Sequence, residues 1–169
     1  ASFVVAVGTC ASYGGVAAGA PNLTGARSVK AVLGATPVIN IPGCPTHPDW
    51  VVGTFAQLLK ENKAPALDGH GRPRAYFRHT VHEECPYEDD DDDDRRGRRG
   101  HETKCLRDIG CRGPETRADC PACQWNGGTP RMPGVNWCVA AGAPCLGCTA
   151  PTCPDGVSPF RQKLPEVDD

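Results

Sequence analysis

The chain has 169 residues, a formal net charge of −2, 20 glycines, 17 prolines and few aromatics (3 Trp, 3 Tyr and 4 Phe). That length allows one or two domains, and the glycine and proline content points to a loop-rich chain rather than a helical bundle or a long sheet. The near-neutral charge argues against nucleic acid as a partner, because Arg95, Arg96, Arg98 and Arg99 directly follow six aspartates and read as their local counter-charges.

In chain order, "SFVVAV" (2–7) is a nearly continuous β-branched run, the pattern of a parallel strand covered on both faces. It breaks at Gly8, where "GTCASYGG" follows. "SVKAVLG" (28–34) predicts a short helix ending at Gly34, and "TPVINI" (36–41) a second buried strand broken by "PGCP". With Asp49 as N-cap, Val51, Val52, Phe55, Leu58 and Leu59 fall on one apolar face of a helix running to about Lys63. Strand, crossover, strand and helix make a right-handed βαβα unit, part of an open doubly wound sheet. Residues 1–68 therefore read as α/β.

From Gly69 to Asp169 the apolar periodicity fades and cysteines crowd in. Such a stretch buries too little apolar surface to fold unaided, and a bound metal would supply the missing stability. The acidic stretch 88–99 is expected to be a solvated loop. No run approaches the roughly 18 apolar residues that span a bilayer. The chain opens without Met and inside a strand pattern, so it is expected to be an N-terminally truncated piece.

Eleven cysteines stand at 10, 44, 85, 105, 111, 120, 123, 138, 145, 148 and 153. The odd count and tight spacings such as Cys145-x-x-Cys148 favour thiolates on metal over disulfides. Cys10 and Cys44 each lie just beyond the C-terminal end of a predicted parallel strand, the edge where open α/β sheets place ligands. Spacing alone reads them equally as half of a four-thiolate site or as two buried cysteines acting as small hydrophobes. His82, Cys85, Cys105 and Cys111 bracket the acidic run and read as one site thrown around a loop.

Five ordered motifs, "GTCASYGGV", "IPGCPTHPDW", "GRPRAYFRHTVHEEC", "CLRDIGCRGPETRADCP" and "NWCVAAGAPCLGC", resemble the small, iron–sulfur subunit of nickel–iron hydrogenases over nearly all of residues 1–160. The resemblance implies an electron-transfer subunit working beside a large subunit that carries the Ni–Fe site and splits H₂. It implies a flavodoxin-like N-terminal domain and a largely irregular C-terminal domain with few short helices, built around clusters. By position, Cys10 and Cys44 match two of four ligands of the proximal [4Fe–4S] cluster; the family's other two come from an upstream Cys-x-x-Cys that these residues do not include. His82, Cys85, Cys105 and Cys111 match the distal [4Fe–4S] ligands, with His79 as the rival histidine. A neutral imidazole in place of a thiolate should raise that cluster's potential.

Cys120, Cys145 and Cys148 match the medial cluster. Many relatives have proline where this chain has Cys138, and there the cluster is [3Fe–4S]; with a fourth thiolate, [4Fe–4S] is expected and [3Fe–4S] is the alternative. Cys123 and Cys153 are extras, expected to be free thiols or packing residues. Oxygen-tolerant relatives carry an additional cysteine shortly after "GTCAS", where this chain has Gly15, so the standard proximal cluster is implied. Residues 161–169 carry no hydrophobic run, so a membrane span is not expected in this chain. The implied electron partner is a cytochrome- or ferredoxin-type protein, and the implied location is periplasmic or membrane-associated, with the cytoplasm as the alternative. Two other readings compete. Cys120-x-x-Cys123 and Cys145-x-x-Cys148 have the look of a zinc ribbon, a structural module, but that leaves Cys85, Cys105, Cys111 and Cys138 unused. A disulfide-rich extracellular fragment conflicts with the odd count and the α/β half.

Overall fold

The computed structural model describes residues 3–88, 105–125 and 135–157. The aspartate run and the segment after Phe160 lie outside the described residues. Two strands form: β1 (Val4–Val7) and β2 (Val38–Ile41) pair in parallel, with Val4 opposite Val38 and Val7 opposite Ile41. Both are β-branched-rich runs, whose stiff side chains suit a pleated surface. All four residues of β2 are buried, whereas Val7 at the end of β1 is exposed. The secondary structure is thus a small two-stranded parallel sheet with short helices, as the α/β pattern of the first half requires.

Glycines set the corners. Gly8, at φ 93°, ends β1 and opens helix α1 (Thr9–Tyr13), and Gly14, at φ 97°, separates it from α2 (Gly15–Ala18). Helix α3 (Val29–Leu33) starts where the Ser28 hydroxyl accepts a hydrogen bond from the Ala31 N–H at 3.1 Å and ends at Gly34.

Helix α4 (Pro48–Glu61) departs from expectation at its start. His47, not Asp49, is the N-cap: its Nδ1 accepts from the Asp49 N–H at 3.1 Å, with Pro48 in the first turn. The buried stripe is also turned. Trp50, Thr54 and Leu58 are buried, while Val52, Phe55 and Leu59 of the expected apolar face are exposed. The largest side chain decides this. The Trp50 ring lies 4.9 Å from Phe77 of α5 (Arg74–Phe77), edge-on, and 5.5 Å from His47, so the inward face centres on position 50.

Between α4 and α5 a tight polar turn replaces apolar packing. Asp68 accepts from the N–H groups of His70 and Arg72 and pairs with the Arg72 Nε at 2.7 Å. Burial alone would raise the Asp68 carboxyl, but the Arg72 and His70 hydrogen bonds hold it below its ordinary value. The buried Arg72 guanidinium also donates to the Thr149 carbonyl at 3.2 Å.

That last bond reflects how the chain is divided. It forms two compact units, one within residues 1–78 and 148–158 and the other within 79–147 together with 159–169. In the second unit the described elements are a 3₁₀ turn at Arg107–Ile109, another at Gly113–Glu115 and helix α6 (Cys120–Cys123). Its buried apolar residues include Val81, Leu106, Trp137 and Val139 alongside Cys105, Cys111 and Cys145. Sulfur fills much of what aliphatic side chains fill elsewhere.

Removing the Trp50 ring should leave a large cavity between His47 and Phe77. Trp50→Ala is expected to lower stability by about 3–5 kcal/mol, read as a shift of the urea unfolding midpoint with an unchanged slope.

Candidate metal centres

At the first corner, Cys10 sits in the opening turn of α1 and Cys44 follows the end of β2, so one parallel pair delivers both thiols to one edge. Both cysteines are exposed. The fastening between them is Thr9, which is buried at 3% exposure. Its N–H donates to the Gly43 carbonyl at 3.1 Å, and its hydroxyl accepts from the Gly43 N–H at 2.9 Å. The same hydroxyl donates to the carbonyl of Cys148. Glycine is required on either side of this fastening. A Cβ on Gly43, at φ 144°, would lie 2.7 Å from the Thr46 Cα; one on Gly15, at φ 53°, would lie 2.8 Å from the Cys10 sulfur.

At the second corner, His82 and Cys85 share one turn, in which the Cys85 N–H donates to the His82 carbonyl at 2.9 Å. The turn is pinned by Val81 N–H to the Thr116 carbonyl at 2.7 Å and His82 N–H to the Gly113 carbonyl at 3.3 Å. Gly113 stands between Cys111 and His82: a Cβ there would be 3.5 Å from both the Cys111 sulfur and the His82 Cβ. The Cys111 sulfur accepts from the Cys145 N–H at 3.3 Å and from the Gly113 N–H. Burial, outweighing these bonds, pushes the Cys111 thiol up. Burial likewise raises the Cys85 thiol against a hydrogen bond from the Tyr87 N–H, with Cys111 close enough to add to the effect. Cys105 is buried next to Leu106, whose carbonyl accepts from the Cys111 N–H. His79, the rival histidine, lies 3.8 Å from the Glu83 carboxylate and is half exposed.

The remaining cysteines are distributed differently. Cys120 opens α6 and Cys123 closes it. Cys138 is exposed as a residue, although desolvation at its sulfur still holds the thiol up, and it lies near enough to Cys111 to act on it electrostatically. Cys145 is buried, and its carbonyl accepts from the Arg112 N–H at 2.8 Å. Cys148 begins the segment that belongs to the first unit. Cys153 is in that same segment; burial first, then the charge of Cys44 and Cys10, holds its thiol up. Among the described residues all eleven cysteines are thiols, and no three His, Cys, Asp or Glu side chains converge tightly enough for a single metal ion. Sequence reasoning missed the Thr9 fastening, the Cys145 N–H on Cys111 and the position of Cys153. Only Thr9 had a signal, its place beside Cys10 in "GTC".

A sequence model for the C-terminal part of the NiFe/NiFeSe hydrogenase small subunit matches residues 77–161. A second, "NADH ubiquinone oxidoreductase, 20 Kd subunit", matches residues 1–58. The chain is 42% identical over 166 residues to the periplasmic [NiFeSe] hydrogenase small subunit of Desulfomicrobium baculatum, covering 92% of this chain and 50% of that one. It is 40% identical over 153 residues to the hydrogenase-2 small chain of Escherichia coli K12, covering 88% of this chain and 40% of that one. Among solved structures, the [NiFeSe] hydrogenase of Desulfovibrio vulgaris Hildenborough superposes with a TM-score of 0.85 at 44% identity, over 95% of this chain and 60% of that one. The actinobacterial-type NiFe-hydrogenase of Ralstonia eutropha H16 gives 0.87 at 32% identity, over 97% and 49%. The chain spans about half the length of the curated relatives it matches.

The upward push on Cys111 has a direct readout. A raised thiol pKa leaves less thiolate at any given pH, and thiolate is the nucleophile. In metal-free protein, the iodoacetamide labelling rate of Cys111 is expected to level off at a higher pH than that of an unstructured cysteine peptide. Peptide mass spectrometry across a pH series checks this.

Proposed function

The chain belongs to the small-subunit family of NiFe and NiFeSe hydrogenases, and from that membership we propose that it is the electron-transfer part of such an enzyme. It would act beside a large subunit that carries the Ni–Fe site and exchange electrons with a cytochrome- or ferredoxin-type protein during H₂ oxidation or production. Bound iron–sulfur clusters would supply one-electron carriage between those two ends. The protein's share is to place the clusters and tune them by ligand type, N–H···S bonds and burial.

The donor set suits such clusters. Thiolates are soft ligands that select iron–sulfur chemistry, and a cluster binds each thiolate to a different iron, so its ligands stand farther apart than those around one ion. The observation that carries the reading is the second corner. Cys111 receives N–H groups from Gly113 and Cys145, with Cys85 near it and His82 held across Gly113. Donors aimed at a sulfur offset the negative charge that a bound cluster leaves there.

In this proposal His82, Cys85, Cys105 and Cys111 hold the distal [4Fe–4S] cluster. The His-x-x-Cys spacing with Cys85 favours His82 over His79 as the histidine of the site. Cys10 and Cys44 supply two ligands of the proximal [4Fe–4S] cluster on a sheet edge of flavodoxin-like type. Cys120, Cys138, Cys145 and Cys148 are assigned to the medial cluster from their order and spacing, as [4Fe–4S] with [3Fe–4S] the alternative. The α/β domain is assigned to 1–68 and the cluster domain to 69–169. A periplasmic location follows the name of the Desulfomicrobium relative. No helix among the described residues is long and apolar enough to cross a membrane.

Iron and acid-labile sulfide analysis of the full subunit, purified anaerobically with its large subunit, is the direct test; a colourless preparation without iron would sink the reading. Cys138→Pro is expected to convert the medial signal to that of an oxidised [3Fe–4S] centre by electron paramagnetic resonance. A wild-type protein already giving that signal would refute the four-thiolate set. His82→Cys is expected to keep a distal cluster while slowing electron exchange with the acceptor. Equal turnover in wild type and variant, with dyes and protein partner alike, would remove His82 from the ligands.

A further inference from the structure

The turn that carries His82 and Cys85 opens with Thr80-Val81-His82-Glu83, a threonine followed three residues on by a glutamate. In the structure these two residues close on each other. Thr80 Oγ1 accepts from the Glu83 N–H at 3.1 Å, and Glu83 Oε2 accepts from the Thr80 N–H at 2.6 Å. That reciprocal pair is a capping box, here closing a single turn rather than a long helix. A turn this short leaves its leading N–H groups without partners of its own. All four from Thr80 to Glu83 are nevertheless met. Val81 donates to the Thr116 carbonyl and His82 to the Gly113 carbonyl, and the box supplies the other two bonds.

The two kinds of fastening hold different sides of the turn. Val81 is buried, and its N–H and that of His82 tie the inner side to the 113–116 stretch. Glu83 and Glu84 are exposed, so the outer edge is held by the box rather than by packing. His82 is half-buried and lies inside the box, one residue before Glu83. Its backbone, and so the direction in which the ring leaves the chain, is set from both sides at once. This matters more for a histidine than for a cysteine. A thiolate is drawn to iron by its charge, whereas a neutral imidazole is not and depends on being held in place.

We propose that Thr80 and Glu83 are positioning residues for the histidine of the distal site, their paired hydrogen bonds setting how firmly His82 stays on iron. The inference rests on the reading of His82 as a cluster ligand. Each residue acts through the backbone of the turn rather than at the iron. His79, at 3.8 Å from the same carboxylate, gives Glu83 a second neighbour. Charge pairing with His79 is therefore the rival explanation, and conservative substitutions separate the two. Glu83→Gln removes the charge and keeps an oxygen for the Thr80 N–H, and Thr80→Ser keeps the hydroxyl. Glu83→Ala and Thr80→Val each delete one bond of the box.

The test uses the full subunit purified anaerobically with its large subunit. Pulsed electron paramagnetic resonance of the reduced protein detects the strong ¹⁴N coupling of an iron-bound imidazole, and the decay of that signal under a chelator measures how fast the ligand and its iron part. Glu83→Ala and Thr80→Val are expected to lose the histidine-coupled signal about 10-fold or more faster than wild type, with the proximal and medial signals unchanged. Glu83→Gln and Thr80→Ser are expected to match wild type. Glu83 is exposed, so its substitutions leave core packing untouched. Decay at the wild-type rate in both Glu83→Ala and Thr80→Val overturns the proposal. So does equal acceleration in Glu83→Gln and Glu83→Ala, which assigns the effect to the charge facing His79. Equal acceleration at all three clusters overturns it as well, because the box then serves general stability. Wild-type protein with intact clusters and no imidazole coupling overturns the reading of His82 as a ligand, and the proposal falls with it.

Discussion

One hydroxyl organises the first half of the molecule. Thr9 takes a hydrogen bond from the Gly43 N–H and gives one to the Cys148 carbonyl, so three distant stretches meet at a single buried oxygen. Its backbone N–H fixes the same turn from the other side. Because a buried polar group left unpaired costs about 1–3 kcal/mol, the arrangement specifies one relative placement of the two strand ends and the returning segment. The cysteines at 10 and 44 inherit their positions from it. Gly15 and Gly43 complete the constraint by leaving no room for a side chain where backbone and sulfur approach.

The second unit is held together on different terms. Among its described residues there is little regular structure, and the buried set includes Cys105, Cys111 and Cys145. Hydrogen bonds substitute for packing: Val81 to Thr116, His82 to Gly113, Arg112 to Cys145 and Cys145 to the Cys111 sulfur. These bonds run between turns that carry His82, Cys111 and Cys145 or their neighbours, so the backbone framework also sets where those side chains start. Raised thiol pKa values at Cys85 and Cys111 mark the cost of assembling those sulfurs before any cation is present.

Much of this is legible in residue order, and what is not has physical causes. The strands at 2–7 and 36–41 stand out because β-branched runs have few other uses, and α3 because Ser28 and Gly34 bracket it. The start of α4 escapes the pattern because histidine accepts at Nδ1 as well as aspartate does at a carboxylate. Its buried face escapes because periodicity weighs five aliphatic and aromatic positions equally, whereas a single tryptophan against Phe77 outweighs them. At the sites, motif order locates the thiols and histidines but not their neighbours. The Cys145 N–H on Cys111, the Gly113 spacer and the placement of the segment that carries Cys153 depend on contacts between residues far apart in sequence, which no local pattern encodes.

The 139-residue separation between Thr9 and its carbonyl acceptor also sets a timetable. During synthesis at about 5–20 residues per second, roughly 7 to 28 s pass between the emergence of the first partner and the last. Throughout that interval the edge bearing Cys10 and Cys44 lacks its final strap, so any chemistry that needs those two thiols open has this window in which to act.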